Sequence, residues 1–343
     1  MSNEDRLDAW QVSAADAPLE GSDAEKLEFC VRVAVLAPSG HNTQPWLFRV
    51  VGEELELHAD RSRALPVVDP HDRELTIACG AALFYLRIAA RTLGHEAEVS
   101  LLPDPEQPDL LARVRLGPGA PPSDEEAALF RAIPERRTTR LAFEDREPPG
   151  DLVAALQAAA EAAGTWLHIT SDEERAEIVE MIAEGDRRQM ADKRFRRELA
   201  SWMHPNRSRS GDGMRGYSFG LGELVSEATP HVIRRFDVGK RQAATDRDLV
   251  ENSPLLVVLG TGEDGPAVWL AAGQALARLL LLAQDGGVTA SFMNQPNEVE
   301  ELRPRITEAI SRVGSSQLLV RMGYGPEVEH SARRPLADVL TRE

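Results

Sequence analysis

Cysteine is nearly absent from this sequence, and basic side chains are far outnumbered by acidic ones. The two cysteines, Cys30 and Cys79, both fall inside apolar helical patterns. We therefore expect small core residues in a reducing compartment, not a disulfide or a metal site. Lys and Arg number 39 against 56 Asp and Glu, which gives a formal net charge of −17 and a pI of about 5.0. This charge argues against nucleic acid and anionic membranes as partners.

Long apolar runs and the features of a secretory signal are also missing. Residues 1–21 are acidic and lack a basic region followed by an apolar run. We expect no stretch that is apolar for long enough to span a bilayer, and a soluble, cytoplasmic protein. Residues 1–21 are predicted to be a flexible acidic arm, or a strap that folds against the body. With 42% hydrophobic residues among 343, the chain can bury a sizeable core in one large or two ordinary domains.

One stretch combines turn residues with hydrogen-bonding side chains: Pro38-Ser39-Gly40-His41-Asn42-Thr43-Gln44-Pro45-Trp46. It follows a helix that opens with a capping box of Ser22 and Glu25, and it runs into the apolar strand 47–51. Two prolines and a glycine predict a stiff loop that presents N–H groups, a hydroxyl and carboxamides. Such a loop suits a flat ligand with polar edges. An ordinary turn uses the same residue types, so the residues alone leave both interpretations open.

Hydrophobic periodicity predicts two successive sets of elements, separated by the Gly/Pro-rich linker 117–122. The first half, 22–118, contains the first helix, strands 47–51 and 55–59, helix 74–93, and strands 97–102 and 111–116. The second half, 123–343, contains a short helix, helix 151–163, strand 165–170, a long helix from 171 to about 203, strand 255–259, helix 267–283, and strands 288–293 and 318–322. An insertion at about 171–239 holds the long helix and a predicted lid with Met214, Tyr217 and Phe219 among glycines.

An internal repeat relates the two halves. Helices 78–94 and 271–287 align at a constant offset of 193, which pairs Gly80 with Gly273. Glycine is unfavourable inside a helix and usually marks close packing, so this pairing is more informative than the shared Ala and Leu residues.

Each half lacks a polar motif that the other half contains. Where the first half has the whole polar loop, the second half has only Gly164-Thr165. Conversely, the basic run Arg136-Arg137-Thr138-Thr139-Arg140 has no counterpart ahead of the first helix, where the chain is acidic. We infer a fused pair of related halves, each retaining one part of a two-part site.

The run Pro38 to Trp46 resembles the Pro-Ser-Ser-x-Asn-x-Gln-Pro-Trp loop of FMN-dependent nitroreductases. Together with the fused halves, it resembles the Acg family of actinobacterial nitroreductase-like flavoproteins, from about Asp23 to the chain end. The resemblance implies an α+β, three-layer nitroreductase-like fold, as a monomer that mimics a nitroreductase dimer with one site left. It implies FMN as cofactor, NAD(P)H as electron donor, and a nitro- or quinone-type acceptor. The alternative that it implies is a flavin store with little or no turnover.

The resemblance also assigns cofactor-binding residues, while the flavin itself carries the chemistry and no catalytic side chain is assigned. Guanidinium groups bind phosphate oxygens bidentately and keep their charge, which suits the basic run to the FMN phosphate. The residues expected at the ring edge are Pro38, Ser39, Gly40, His41, Asn42 and Gln44, and those expected at the phosphate are Arg136, Arg137, Thr138, Arg140, Arg333 and Arg334. Ser291, Phe292 and Met293 are expected to pass beside the ring.

A competing motif is Gly260-Thr261-Gly262-Glu263-Asp264-Gly265, a literal dinucleotide fingerprint between a strand and a helix. Two acids inside it would repel a pyrophosphate, and the next strand ends without the acidic residue that a ribose requires. A Rossmann dehydrogenase is therefore only a minor alternative. No His, Cys or acid spacing resembles a metal site, and Ser39 with His41 lacks the nucleophile elbow of a hydrolase.

Overall fold

Two main sheets, a two-stranded sheet and the helices around them make up residues 8–342, the part of the chain that the computed structural model describes. The helices are α1 (Asp23–Ala34), α2 (Arg73–Thr92), α3 (Asp124–Glu135), α4 (Gly150–Ala162), α5 (Asp172–Ala191), α6 (Lys193–Trp202), α7 (Glu223–Arg235), α8 (Gly239–Glu251), α9 (Pro266–Asp285) and α10 (Arg303–Ala309). The strands are β1 (Trp46–Val51), β2 (Glu54–Ala59), β3 (His95–Leu101), β4 (Leu110–Pro118), β5 (Trp166–Ile169), β6 (Met203–His204), β7 (Met214–Arg215), β8 (Leu255–Thr261), β9 (Thr289–Phe292), β10 (Ser315–Gly323) and β11 (Leu340–Arg342).

Each predicted half contains one main sheet. The five strands of the first lie in the order β11-β1-β2-β4-β3, and the four of the second in the order β5-β8-β10-β9. Apart from β11, which runs parallel to β1, neighbouring strands in both sheets are antiparallel. The predicted α+β class is confirmed.

The chain end returns to the first half. β11 pairs with β1 through Phe48 and Leu340, so the last strand closes an edge of the sheet formed by the first strands. Sequence periodicity missed β11 because three residues are too few to show a pattern.

Helices α2 and α9 pack against each other at the centre of the molecule, where the repeat glycines meet. A Cβ on Gly273 would clash with the Ile77 carbonyl oxygen and lie 2.9 Å from the Cα of Gly80. A Cβ on Gly80 would clash with the carbonyl of Leu270. The expectation that these glycines mark close packing is therefore confirmed.

Judged by length and composition alone, the expectation that no stretch is apolar enough to span a bilayer is wrong. Both α2 and α9 pass that test, but 78% and 56% of their apolar windows are buried inside the protein. Core helices pass the same test, because both environments select apolar residues on all faces.

The insertion departs from the predicted single helix to residue 203. The chain breaks at Asp192, whose backbone is extended and whose side chain accepts a hydrogen bond from the Arg194 N–H. Asp is a favoured N-cap residue, so it ends α5 and begins α6. Helix α7 lies within the insertion and α8 begins at its predicted end; neither was predicted. Pro230 inside α7 argues against a helix interior, and α8 is mostly polar.

Cys30 and Cys79 are buried and free, so the prediction of small core residues is confirmed. The Rossmann alternative is wrong, because β8 lies between two antiparallel strands and Asp264 pairs with Arg303 at 2.7 Å.

Part of the predicted N-terminal arm lies on the body. The Trp10 ring stacks on His330 at 4.3 Å, and its Nε1–H donates to the Ser331 carbonyl at 2.9 Å. Residues 1–7 of the arm lie outside the described residues.

Candidate functional site

The polar loop between α1 and β1 holds an unusual backbone conformation. His41, Asn42 and Gln44 have φ values of 47°, 55° and 51°, a region that side chains other than Gly adopt uncommonly. The Ser39 hydroxyl stabilises the turn by accepting a hydrogen bond from the Gln44 N–H at 2.9 Å. Strained backbone of this kind persists only where surrounding contacts enforce it, and it clusters at functional sites.

The two carboxamides of the loop are engaged with other parts of the chain. Asn42 Nδ2 donates to the carbonyls of Gly213 and Ala332, both at 3.1 Å. Gln44 is wholly buried, and its Nε2 donates to the Gly211 carbonyl at 2.9 Å. In this arrangement the Asn42 and Gln44 side chains hold the loop to the insertion and to the C-terminal segment.

Arg136 and Arg333 form a buried cationic cluster directly beside this loop. They are 5% and 3% exposed, and within residues 8–342 neither forms an ion pair with a carboxylate. Arg333 donates to Asn42 Oδ1 at 3.1 Å and to the Leu36 carbonyl at 3.0 Å. Burial and then the neighbouring Arg136 lower the pKa of Arg333 to about 9. Buried charges without counter-ions are unfavourable, so the Arg136–Arg333 cluster is suited to an anion.

Two donors of the cluster have no partner. In the described chain, Arg136 Nε and Arg333 Nε are buried without a hydrogen-bond partner, while Tyr85 hydrogen-bonds Arg136 and His330 hydrogen-bonds the Pro134 backbone. Burial and then the charge of Arg137 lower the pKa of His330 to about 4, so the imidazole is neutral at pH 7. Because buried polar atoms are almost always paired, the two open guanidinium donors suit an acceptor with several oxygens.

Arg137 and Arg334 differ from this cluster because each has a carboxylate partner. Arg137 pairs with Glu327 at 3.2 Å, at the surface. Arg334 pairs with Asp60 at 3.2 Å and donates to the Gln44 carbonyl at 3.0 Å. Arg334 therefore clamps the C-terminal segment to the polar loop, and its charge is already compensated.

Arg140 lies on the other side of the loop, under residues 211–219, which we call the cover segment. Its guanidinium carbon lies 4.7 Å from the centre of the Phe219 ring, and Nη2 lies 3.4 Å from Met214 Sδ. Burial and then the charge of Arg140 lower the pKa of His41 to about 4, and His41 Nδ1 has no partner in the described chain. A neutral imidazole thus lies beside a permanent cation.

Strand β9 completes the arrangement. An isolated parallel bridge joins Thr138 to Ala290, which brings the basic run alongside Ser291, Phe292 and Met293. Ser291 and Met293 are buried, and Phe292 is half-buried. The structure therefore places the polar loop, the basic run, Arg333 and β9 around one location, although they come from four distant parts of the sequence.

Some residues at this location carry no sequence signal that identifies them. Tyr85 lies in an apolar helix, and His330 lies in an irregular segment. Arg321 did offer a signal, because it is a lone guanidinium inside the apolar strand 318–322. A buried cation in such a strand needs a partner or a ligand.

A carboxyl pair next to the site gives a pH-dependent prediction. Asp186 of α5 and Asp246 of α8 share Gln295 Nε2, at 3.2 and 2.8 Å. Burial and then repulsion by Asp246 raise the pKa of Asp186 to about 8. The folded chain therefore keeps a proton that the unfolded chain loses near pH 4, so the free energy of unfolding falls as the pH rises between these values. The loss is about 1.4 kcal/mol for each pH unit.

Asp186→Asn is accordingly expected to remove most of this dependence, which urea unfolding at pH 6, 7 and 8 measures. The wild type loses stability across this range, and the variant loses less. Glu177→Gln, at an exposed position on the same helix, serves as the control and should follow the wild type. Parallel stability profiles for wild type and Asp186→Asn would contradict the assignment of the shared proton.

No family model matches the chain. A Mycobacterium tuberculosis H37Rv protein named "Putative NAD(P)H nitroreductase" is 31% identical over 324 residues, which cover 93% of this chain and 92% of that protein. The protein named "Putative NAD(P)H nitroreductase acg" from the same strain is 29% identical over 325 residues, covering 92% and 95%.

Among solved structures, the FMN and NADPH-dependent nitroreductase NfnB of a Sphingopyxis strain is 18% identical. It covers 62% of this chain and 97% of its own, with a TM-score of 0.43. The family assignment rests on the mycobacterial relatives, whose similarity extends over more than nine-tenths of this chain. The chain therefore belongs to the nitroreductase family, and Acg is among the relatives that it matches.

Proposed function

We propose that this protein binds one FMN and uses it to pass electrons from NAD(P)H to a small nitro- or quinone-type acceptor. The observation that carries this proposal is the buried Arg136–Arg333 cluster, which has no counter-ion in the described chain and lies beside the strained polar loop. The names of the mycobacterial relatives as NAD(P)H nitroreductases support the same electron donor.

The residues present fit the phosphate of FMN. A phosphate dianion offers several acceptor oxygens, and Arg136 and Arg333 each hold a buried, unpartnered Nε–H donor. Hydrogen bonds between guanidinium and phosphate are among the strongest in proteins. The Thr138 hydroxyl, which accepts from Arg136 at 3.3 Å, can turn to donate as well.

The remaining residues would position and tune the ring. Bound flavin supplies the hydride chemistry, while the protein supplies binding, orientation and electrostatics. Ser39 and the loop N–H groups are held in place by the strained turn, which lowers the entropy lost on binding. The neutral His41 imidazole can form a hydrogen bond with the ring without adding charge to the site. Arg140, in contrast, contributes a fixed positive charge. Ser291 on β9 would face the same ring.

A second candidate function is flavin storage, and the cover segment favours it. The Gly213 N–H donates to the Asn42 carbonyl at 3.2 Å, and Phe219 lies over Arg140. Tyr217 Oη donates to the His330 carbonyl at 2.8 Å, which holds the same segment to the cationic cluster. Access of an electron donor to the site therefore requires these contacts to open.

The visible spectrum of FMN-supplemented and desalted protein tests the proposal. We expect one retained flavin per chain, which bleaches promptly under anaerobic NADPH. Phe219→Ala removes the ring that covers Arg140 and is expected to speed bleaching if opening limits it. A flavin that dithionite bleaches but NADPH does not would support storage. Absence of retained flavin would reject FMN binding itself.

A further inference from the structure

Helix α7 carries an apolar stripe that faces solvent. Its members recur every fourth residue and so form one row along the helix, which we call the α7 stripe: Leu224, Ala228, Val232 and Phe236. The side chains of Leu224, Val232 and Phe236 are 83%, 42% and 60% exposed. Nine large apolar side chains are exposed among residues 8–342, and four of them lie on α7 or at its end. Single exposed apolar residues need no explanation, whereas contiguous ones mark interaction sites.

The opposite face of α7 is fixed to the protein, so the stripe cannot turn inward. Ser226 is 1% exposed, and its hydroxyl donates to the Glu223 carbonyl at 2.7 Å and accepts from the Asn206 N–H at 3.2 Å. A Cβ added to Gly216, in the cover segment, would clash with the Ser226 Cβ. This close approach leaves α7 one orientation, in which the α7 stripe points outward.

Charged residues beside the stripe form two blocks of opposite sign. Glu227 lies in the first half of α7, whereas Arg234 and Arg235 lie in its last turn. Within residues 8–342 none of these three forms an ion pair, in contrast to Glu223, which pairs with Arg207 at 3.0 Å. Glu227 and Arg234 are seven residues apart, about two helical turns, so both lie on the same flank of the stripe. This flank is therefore acidic towards one end of the helix and basic at the other.

Such a flank complements a second copy of itself. A two-fold axis perpendicular to the helix reverses the direction of the second helix, so the acidic end of one flank meets the basic end of the other. With the axis midway between Ala228 and Val232, each Ala228 lies opposite a Val232, and each Leu224 lies opposite a Phe236. The same register brings Glu227 of each copy within one residue of the level of Arg234 in the other. Flanking charges of this kind set the relative orientation of paired helices.

We propose that this protein forms a homodimer in which the α7 helices of two copies pair in antiparallel orientation through the α7 stripe. This surface is distinct from the α2–α9 packing, which joins the two halves within one chain. The monomer that the resemblance implies is then the subunit of this dimer.

The size of the contact indicates how strong the dimer is. The 13 residues of α7 extend over about 20 Å. A pair of such helices buries less than the roughly 1,600 Å² of a standard stable interface. We therefore expect a reversible dimer with a dissociation constant in the micromolar range.

Sedimentation velocity of the full-length protein over a concentration series, at physiological salt, tests this dimer. The wild type is expected to shift from monomer to dimer as its concentration rises. Val232→Glu buries a charge in the stripe and should raise the dissociation constant at least about tenfold. Val313→Glu makes the same change between α10 and β10, at a side chain that is 93% exposed, and should dimerise like the wild type.

Other outcomes of this series would overturn the proposal. A wild type that stays monomeric at every concentration would exclude the dimer, and a dimer that Val232→Glu leaves unchanged would place the interface elsewhere. Binding of a monomeric wild type to phosphatidylcholine vesicles, lost in Val232→Glu, would assign the stripe to a membrane surface instead.

Charge reversal tests the antiparallel register separately. Glu227→Arg and the double variant Arg234→Glu/Arg235→Glu each place like charges opposite one another, so each should dimerise at least about tenfold more weakly than the wild type. An equimolar mixture of the two should dimerise again, because one copy is then basic at all three positions and the other is acidic. A mixture that stays monomeric would contradict the antiparallel pairing.

Discussion

Gly273→Ala is expected to destabilise the protein by about 2 kcal/mol or more, although alanine is the better helix former. The substitution gains about 1 kcal/mol in helix propensity. Overpacking a close-packed interior typically costs about 1–3 kcal/mol, and more where the neighbour cannot move. Here the added Cβ meets the backbone of α2 at the Ile77 carbonyl and at Gly80, so neither contact is relieved by turning a side chain. Helices α2 and α9 would have to separate, which disturbs the core of both halves.

Urea unfolding of Gly273→Ala and of a matched control measures this effect. Gly150→Ala is the control, because Gly150 also lies in a helix and a Cβ added there would meet no atom within 4 Å. The control should be neutral or slightly stabilising. If Gly273→Ala unfolds at the same urea concentration as the wild type, the stability of the protein does not depend on the close contact between the two glycines.

Arg136→Ala is expected to weaken FMN binding roughly ten- to a hundredfold. A hydrogen bond to a charged group contributes about 1.5–3 kcal/mol, and each 1.4 kcal/mol changes the dissociation constant about tenfold. The lost hydrogen bond is one to the phosphate, which is the same in both redox states. The loss of affinity should therefore be equal for oxidised and reduced flavin. Removal of Arg136 should also leave protein stability intact or raise it, because it relieves repulsion within the Arg136–Arg333 cluster.

Flavin titration with absorbance or fluorescence detection compares Arg136→Ala with Arg131→Ala. Arg131 lies on α3, the helix that ends just before the basic run, and its side chain is exposed to solvent. Arg131→Ala should bind FMN like the wild type. Unchanged affinity in Arg136→Ala would show that the phosphate does not bind at the cluster.

Local sequence signals predicted much of the fold around the site. The predicted capping box of Ser22 and Glu25 forms, since it depends only on residues three positions apart. The paired glycines identified the central helices because glycine weakens a helix interior and is tolerated there where two backbones approach closely. By contrast, the break at Asp192 was missed, since a single capping residue does not interrupt the periodicity on either side of it.

The partners of the site residues could not be predicted. Asn42 and Gln44 were expected to face a ring, yet each hydrogen-bonds residues far along the chain. Such pairings depend on how the insertion folds over the loop, and no local pattern encodes that. The same holds for Arg321, whose neighbours on α8 and β9 become visible only in three dimensions. Residue types indicate the chemistry of a site, whereas tertiary structure decides which groups remain available for a ligand.

The pairing of β11 and Arg333 with the first half constrains the order in which this protein folds. The first sheet lacks its β11 edge, and the cationic cluster lacks Arg333, until residues 333–342 have been synthesised. Domains generally begin to fold from the N-terminus during synthesis. Here the first half emerges with an open strand edge, which closes only when residues more than 280 positions later reach it. C-terminal truncation before residue 333 should therefore yield a chain that exposes this edge and cannot be loaded with FMN.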